Sequence, residues 1–369
     1  MVCVVRRPMS RKPVRRGKKV RRSIAPHSLH RVPIHGMANL KSGRRLCYLP
    51  CMEMRLRNSR WNREPKLDRA GRPIVARLSA EDLEILKLLG RYRYLPSDYL
   101  AALTGRSLPA LQARLEILCR KPNCYVARPH QQRANADANT RRMIYELDDK
   151  GAEELRTHGI MYSRKKNLRN FAHELMACTI AASFEIGART SNTLRLIGWQ
   201  ELLASPQMPA GTKALENPQV ISFKRAGRRE ALVSDWRPFV IEQNVAVKSY
   251  AFVYGFEADC GTEPIDSQDS ERSAIRNKFV AYLEVLQQDT PARHFGAKTF
   301  LIPFVTTSEA RMRSMMAVLG RLNPGPLSKR FLFKHVPAFT SFEKPSPPNG
   351  RMLLEPWARA GFEPFCFAH

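Results

Sequence analysis

The sequence is poor in acidic residues and contains no long apolar run. Its 369 residues include 33 Asp and Glu against 62 Lys and Arg, which gives a formal net charge of +29. No stretch reaches the ~18 consecutive apolar residues of a membrane-spanning helix. Arginines interrupt the N-terminus from Arg6 onwards, so the apolar segment of a secretion signal is missing. We expect a cytoplasmic protein, without membrane contact, whose partner is a polyanion.

Several catalytic and metal-binding motifs are missing as well. There is no Gly-rich phosphate loop of the GxxxxGK[ST] type, so ATP hydrolysis is not supported. No pair of histidines accompanies a nearby tyrosine, as a nicking relaxase site would require. The eight cysteines form no dense framework, and we expect them to be reduced. The spacings Cys47–Cys51 and Cys119–Cys124 exceed that of the usual zinc knuckle, which argues against zinc.

The N-terminal segment, residues 1–66, is strongly basic. It holds nineteen Lys or Arg and only two acids, Glu53 and Glu64, and it shows no helical or strand periodicity. Such a segment cannot bury enough apolar surface to fold, so we predict a disordered arm that neutralises phosphates. The alternative is a start codon placed too early, since Met37 and other internal methionines could initiate translation.

From Leu78 the pattern changes to short amphipathic helices. Ser79–Asp82 is typical of a capping box, Pro96 to Asp98 opens a second helix, and Ser107 caps a third. The apolar stripe of the third helix consists of Leu108, Leu111, Leu115 and Leu118. Two strand-like segments follow, at residues 124–128 and 142–147. Three helices and a β-hairpin predict a winged helix, and we place this domain at residues 78–160.

A winged helix can bind DNA by placing its third helix in the major groove and its hairpin on a neighbouring phosphate run. The polar side chains of the third helix and the hairpin are therefore candidate DNA contacts. They are Arg106, Gln112, Arg114, Arg128, Arg133, Arg141 and Arg142. Winged helices also mediate protein contacts, which remains the alternative. The positive charge favours double-stranded DNA.

A second domain is predicted at residues 170–357. It begins with a helix over residues 171–186, and a further helix is expected over residues 270–288. The strand candidates between and after them are 194–199, 220–223, 231–241, 250–257 and 299–305, and a last helix covers 308–319. Because proline cannot donate to a β-ladder, Pro303 predicts that its strand lies at an edge or ends there.

Three carboxylates of this domain form a candidate metal site. The strand predicted at residues 250–257 ends with Glu257, and Asp259, two residues on, would lie on the same face. Asp235 lies on a candidate neighbouring strand. Lys278 and Tyr282 follow on a helix, one turn apart. Carboxylates in such a group could bind Mg²⁺ or Mn²⁺. The alternative is that these are charged strand ends at the rim of a sheet.

The order of helix, strands bearing Asp and then Glu, helix and strand resembles the PD-(D/E)XK, or restriction-endonuclease-like, αβββαβ fold. Together with the winged helix, the chain over residues 78–357 is similar to the plasmid replication-relaxation family. The segments that carry the resemblance are Ser79–Arg91, Ala113–Leu115, Glu257–Glu263, Lys278–Tyr282 and Phe304–Arg311. The resemblance implies an α+β fold and a DNA-associated role in the replication, relaxation or mobilisation of a bacterial plasmid, phage or integrated element. It also suggests replication or mobilisation proteins as further partners.

The candidate catalytic set, Asp235, Glu257, Asp259 and Lys278, departs from the nuclease pattern in two places. Ser234 stands where that fold usually has proline, and Asp259 stands where it usually has the lysine that orients the attacking water. Lys278 could replace that lysine, with Arg276 as a second candidate. Three functions therefore remain open: a DNA-binding scaffold, a Mg²⁺-dependent DNA endonuclease, and a winged-helix transcriptional regulator.

We predict that removing residues 1–66 reduces the salt dependence of DNA binding. Each phosphate contact contributes about 0.9 to the slope of log affinity against log salt, because bound counterions are released. Fluorescence anisotropy with a short duplex at several salt concentrations measures this slope. Equal slopes for the full-length and shortened proteins would mean that the arm does not touch DNA.

Overall fold

The computed structural model describes residues 63–133, 142–160, 171–225, 227–244, 248–267, 274–336 and 346–368. Residues 1–62 of the predicted arm lie outside the described residues. The same holds for two candidate DNA contacts, namely Arg141 and the side chain of Arg133. The described residues form a mixed α+β structure with small antiparallel and mixed sheets, which confirms the fold class at that level. Among them, no helix is both long and apolar enough to cross a membrane.

The first helices begin and end where the sequence predicts. Helix α1 (Ala80–Tyr92) follows the capping box, in which Asp82 N–H donates to Ser79 Oγ and Ser79 N–H donates to Asp82. Helix α2 (Ser97–Thr104) ends at Gly105, whose φ of 68° is left-handed, and α3 (Leu108–Cys119) starts after residues 105–107. Leu111, Leu115 and Leu118 of α3 are fully buried.

The prediction that Leu108 is buried was wrong, because 38% of this residue is exposed. It is the first residue of α3, and the other leucines of the stripe lie at least one turn further along the helix.

A three-stranded antiparallel sheet accompanies these helices. Its order is β1 (Leu95–Pro96), β3 (Ile144–Leu147) and β2 (Val126–Ala127). Between β2 and β3 lies the short helix α4 (His130–Arg133), and α5 (Asp149–Thr157) follows β3. The domain boundaries proposed from the sequence stay predictions, since residues 161–170 are not described.

Helix α6 (Phe171–Thr190) is the central element of the second half. Its residues are buried from Leu175 to Gly187, which explains its largely apolar sequence. The elements that follow are β4 (Leu194–Ile197), α7 (Trp199–Ala204), α8 (Ala210–Lys213), β5 (Ile221–Arg225), β6 (Arg228–Leu232), β7 (Phe239–Gln243), β8 (Ser249–Val253), β9 (Glu257–Ala258), α9 (Ile275–Gln287), α10 (Thr290–Phe295), β10 (Ile302–Thr306), α11 (Glu309–Arg321), a 3₁₀ helix (Gly325–Arg330), β11 (Phe331–His335), α12 (Arg351–Leu354), β12 (Trp357–Arg359) and β13 (Phe362–Phe365).

These strands form three sheets. The largest has the order β13-β12-β11-β10-β9, with parallel pairing from β9 to β11 and antiparallel pairing beyond. The second is antiparallel with the order β4-β7-β8, and β5 and β6 form a separate hairpin. Buried apolar residues form two clusters, of which one joins α1–α3 to α6 and the other lies between β5, α9, β10 and α11.

Two strands predicted as continuous are interrupted. The segment 231–241 splits into β6 and β7, so Asp235 lies in the connection between them, where Pro238 lacks the N–H that a ladder needs. The segment 250–257 splits at Gly255, whose φ is 121°; a Cβ there would lie 2.2 Å from Trp236 O. Glu257 therefore opens β9, in a different sheet from β8.

Pro303 was predicted to lie in an edge strand or near a strand end. The strand β10 is an inner one, between β9 and β11, and Pro303 is its second residue, so the strand does end next to the proline. The proline is tolerated in this inner strand because β9 pairs only with Phe304 and Val305, which leaves no ladder partner for Pro303 on that side.

A buried glutamate joins α1 to α6. Glu185 of α6 accepts hydrogen bonds from Arg91 (2.7 Å), Arg189 (2.6 Å) and the hydroxyl of Tyr92. Burial opposes ionisation of Glu185, but Arg91, Tyr92 and Arg189 outweigh it and lower the pKa of this carboxyl. The negative charge of Glu185 therefore holds the N-terminal helices against the second half.

We predict that Glu185→Gln destabilises the protein by about 2 kcal/mol at neutral pH, less than the ~3–5 kcal/mol of a fully buried pair, because both arginines are half exposed. A carboxyl with a lowered pKa stabilises the fold above its unfolded pKa and loses that contribution as the pH falls through the folded value. The difference between parent and variant should therefore shrink below about pH 4.

Urea unfolding at several pH values measures this difference. Glu201→Gln is the control, because it removes an exposed partner of Arg195 and should change the stability by less than about 0.5 kcal/mol. A Glu185→Gln variant as stable as the control at neutral pH would contradict the assigned role.

Candidate functional site

The loop between β6 and β7 meets the start of β9. Asp235 N–H donates to Phe256 O (3.1 Å), and the Asp235 carboxylate accepts from Ala258 N–H (2.9 Å). Gly255 allows this close approach because it has no side chain. The structure therefore brings Asp235 next to the strand that carries Glu257, although the two residues do not lie on neighbouring strands of one sheet.

Glu257 is completely buried, and α9 supplies its partners. Lys278 Nζ lies 3.0 Å from Glu257 Oε2, and the Tyr282 hydroxyl donates to Glu257 Oε1 (2.5 Å). Lys278 also lies 3.2 Å from the carboxylate of Glu263. The predicted proximity of Lys278 to Glu257 is present in the structure, and the one-turn spacing of Lys278 and Tyr282 delivers both groups to the same carboxylate.

A histidine completes the surroundings of Asp235. His173, in the first turn of α6, places Nε2 3.1 Å from Asp235 Oδ2. Burial opposes ionisation of Asp235, but the His173 hydrogen bond and the charge of Lys278 outweigh it and hold the pKa of this carboxyl below its usual range. In the sequence, His173 lies 62 residues before Asp235, and no local pattern links the two.

Asp259 has a separate set of partners. Its carboxylate accepts from both Nε and Nη2 of Arg311 and from the Thr306 hydroxyl (2.6 Å), and Gly261 N–H donates to it (3.1 Å). Arg311 also donates to the carbonyl of Glu263. Arg311 belongs to a segment that carries the family resemblance, but no sequence pattern linked it to Asp259.

These pairings leave little room for a metal ion. The two carboxylate oxygens of Glu257 contact Lys278 and Tyr282. Both carboxylate oxygens of Asp259 accept hydrogen bonds from Arg311. Within the described part of the chain, no group of three or more His, Cys, Asp or Glu side chains is placed to hold a metal. In this arrangement the residues do not fit Mg²⁺ or Mn²⁺, because protein cations already occupy the positions next to the carboxylates.

Electrostatic coupling extends through the cluster. Burial raises the pKa of Glu257 and the charge of Asp235 raises it further, against the opposing effect of Lys278. Burial opposes the charge of Lys278, but Glu257, Asp235 and Glu263 together raise its pKa. The ammonium group of Lys278 therefore stays charged and acts as the cation that the carboxylates share.

Five of the candidate DNA contacts of the first domain have side chains that the structure describes, and each of these has a partner within the protein. Arg114 was expected to face outward, but it donates to both carboxylate oxygens of Asp82, at 2.9 and 2.6 Å, and to Arg77 O. This ion pair turns the side chain towards α1, because a buried carboxylate needs a cation. The other contacts are Arg106 with Glu81, Arg142 with Asp98, Arg128 over the ring of Tyr145, and Gln112 with Ser97.

The most exposed residues of α3 are uncharged. Its exposed residues, all in the first half of the helix, are Leu108, Pro109, Ala110, Gln112 and Ala113. Small residues there permit another molecule to approach the helix backbone closely.

We predict that Lys278→Met lowers the thermal midpoint strongly, because it leaves Glu257 buried without its cation. Mn²⁺ should restore part of the loss in this variant, since a divalent ion can replace the ammonium group, and it should leave the parent unchanged. Differential scanning fluorimetry with and without Mn²⁺ measures both effects. A parent midpoint that rises with Mn²⁺ would instead support a metal site at Asp235 and Glu257.

Comparison with known proteins gives a family. The model of the replication-relaxation family matches residues 86–299, which includes α2, α3, the three-stranded sheet, α6 and the Asp235–Glu257–Lys278 cluster. No curated protein matches the chain, and no solved structure matches it either. Since the match covers more than half of the sequence, the chain belongs to the replication-relaxation family.

Proposed function

We propose that the protein binds double-stranded DNA through a winged helix made of α1–α3 and β1–β3. The observation that carries the proposal is the unit α2, residues 105–107 and α3. Two helices joined by a short turn with a left-handed glycine are typical of a helix-turn-helix, whose second helix enters the major groove. Its biological role would be in the replication, relaxation or mobilisation of a plasmid, phage or integrated element, in line with its family.

The surface of α3 supports this proposal. The N-terminal residues of a recognition helix are those that meet base edges, and in α3 these residues are exposed and include the small Ala110 and Ala113. They offer few hydrogen-bonding groups, so specificity for base sequence would be modest. Affinity would come mainly from phosphate contacts made by the basic arm and by the segment between β2 and β3, which forms the wing of a winged helix. Arg133 and Arg141 of this segment remain candidate phosphate contacts.

The second domain would then serve as a scaffold with a restriction-endonuclease-like αβββαβ arrangement. Its carboxylates bind Lys278, His173 and Arg311 instead of presenting free oxygens, which supports a structural role. Partners of this scaffold would be replication or mobilisation proteins.

The alternative function is a metal-dependent DNA endonuclease. It is favoured by one observation, that Lys278 lies 3.0 Å from Glu257 and could replace the lysine missing at Asp259. Cleavage of supercoiled DNA with Mg²⁺ or Mn²⁺ tests it, with Glu257→Gln as the inactive control. If the parent protein cleaves the DNA and the Glu257→Gln variant does not, the protein is an endonuclease. If the DNA stays intact with both proteins, the second domain acts as a scaffold. A transcriptional regulator would differ by requiring one defined operator sequence.

We predict that Ala110→Glu weakens binding to duplex DNA at least about tenfold and that Ala110→Lys strengthens it. Ala110 is exposed in the first turn of α3, where a new charge would face the phosphates. Glutamate in a first turn also interacts well with the helix dipole, so the fold should persist. Fluorescence anisotropy at fixed salt measures both affinities.

Ala317→Glu and Ala317→Lys are the matched controls, since Ala317 is exposed on α11, an element that does not belong to the proposed winged helix. They change the net charge equally and should alter affinity only slightly. If both Ala110 variants bind DNA like the parent, α3 does not face DNA, and a protein-binding role for the winged helix would be favoured.

A further inference from the structure

The hairpin β5–β6 combines a buried apolar face with an exposed basic one. Ile221, Phe223 and Leu232 are buried in the cluster shared with α9 and α10. Lys224 and Arg229 are exposed and lie directly opposite one another across the two strands. The outer face is open to a partner, because Ser222, Lys224 and Arg229 on it are exposed.

The charges of this hairpin conflict with its own stability. Lys224 faces Arg229 and Arg225 faces Arg228, and like charges directly opposite one another destabilise an antiparallel pair. Arg225 is compensated by Glu230 and Glu284. Within the described residues, Lys224, Arg228 and Arg229 make no ion pair, so three exposed cations at one hairpin end remain available to an external anion.

The backbone at Lys224 is held in place from outside the hairpin. Gln288, which follows α9, accepts from Lys224 N–H (3.5 Å) and donates to Lys224 O (2.8 Å). Arg293 of α10 donates to Gln288 O (2.7 Å), which brings another exposed cation to the same end of the hairpin. A fixed backbone lets the cations bind phosphates without the cost of ordering a loop.

We infer that the β5–β6 hairpin is a second duplex-DNA contact, in which Lys224 and Arg229 bind backbone phosphates. This inference rests on the proposed DNA-binding function. A two-stranded ribbon is narrow enough for the major groove, and Ser222 and Ala231 on the same face are small enough to let the DNA backbone approach. The face carries no aromatic anchor of the kind that dominates protein–protein interfaces, which favours DNA over an acidic protein.

The test is the salt dependence of binding by the double variant Lys224→Gln, Arg229→Gln in the full-length protein. Two lost phosphate contacts should reduce the slope of log affinity against log salt by about 1.8. The control is Arg313→Gln, Lys329→Gln, which removes two exposed cations from other elements and should change the slope much less. The hairpin variant should also have a thermal midpoint equal to or above that of the parent, because the like-charge pair is gone.

The possible outcomes distinguish a failure of the hairpin contact from a failure of the proposed DNA-binding function. If the parent binds duplex DNA and the hairpin and control variants have equal slopes, the hairpin does not bind DNA and this inference is overturned alone. A parent that does not bind duplex DNA at all would overturn both the proposed function and the inference. The same variants are also tested with single-stranded RNA of the same length. If the hairpin variant loses affinity for this RNA but binds duplex DNA like the parent, the hairpin binds RNA and the inference is overturned.

Discussion

The buried pair of Lys278 and Glu257 is the interaction on which the second half of the protein depends. A carboxylate removed from water is very costly unless a cation and hydrogen-bond donors replace the solvent, and Glu257 is completely buried. Lys278 and Tyr282 meet that need from a single helix. The same rule applies to Asp235 with His173 and to Asp259 with Arg311, so each acid near β9 is matched by a basic side chain from a different helix. The carboxylates thereby tie α6, α9 and α11 to one strand.

Local features of the fold were predictable from the sequence because they depend on neighbouring residues. The capping box at Ser79 and the helix end at Gly105 are such features, and both are present. The family was also recognisable from the sequence. The order of the elements and the acidic segment at Glu257 can be recognised even when the ends of the strands are predicted inaccurately. The spacing of Lys278 and Tyr282 likewise placed both residues on one face of a helix, and this is what the structure has.

Predictions failed where distant residues decide the structure. The approach of Trp236 to Gly255 breaks an apparently continuous strand, and its steric cause lies about twenty residues away in sequence. The contact between Arg311 and Asp259 was also missed, because Arg311 lies on a helix about fifty residues beyond the acidic segment. The basic hairpin was missed because its meaning depends on register, which sets Lys224 against Arg229.

Helix α6 has a mechanical consequence. His173, near its start, holds Asp235, and Glu185, near its end, holds α1. These two positions are separated by about 18 Å at the 1.5 Å rise per residue of an α-helix. Because the helix between them is continuous and buried, it behaves as a stiff rod, and its ends cannot shift along its axis independently. A displacement of α1 that keeps its contacts with Glu185 would therefore also move His173, the partner of Asp235, by the same distance along the helix axis.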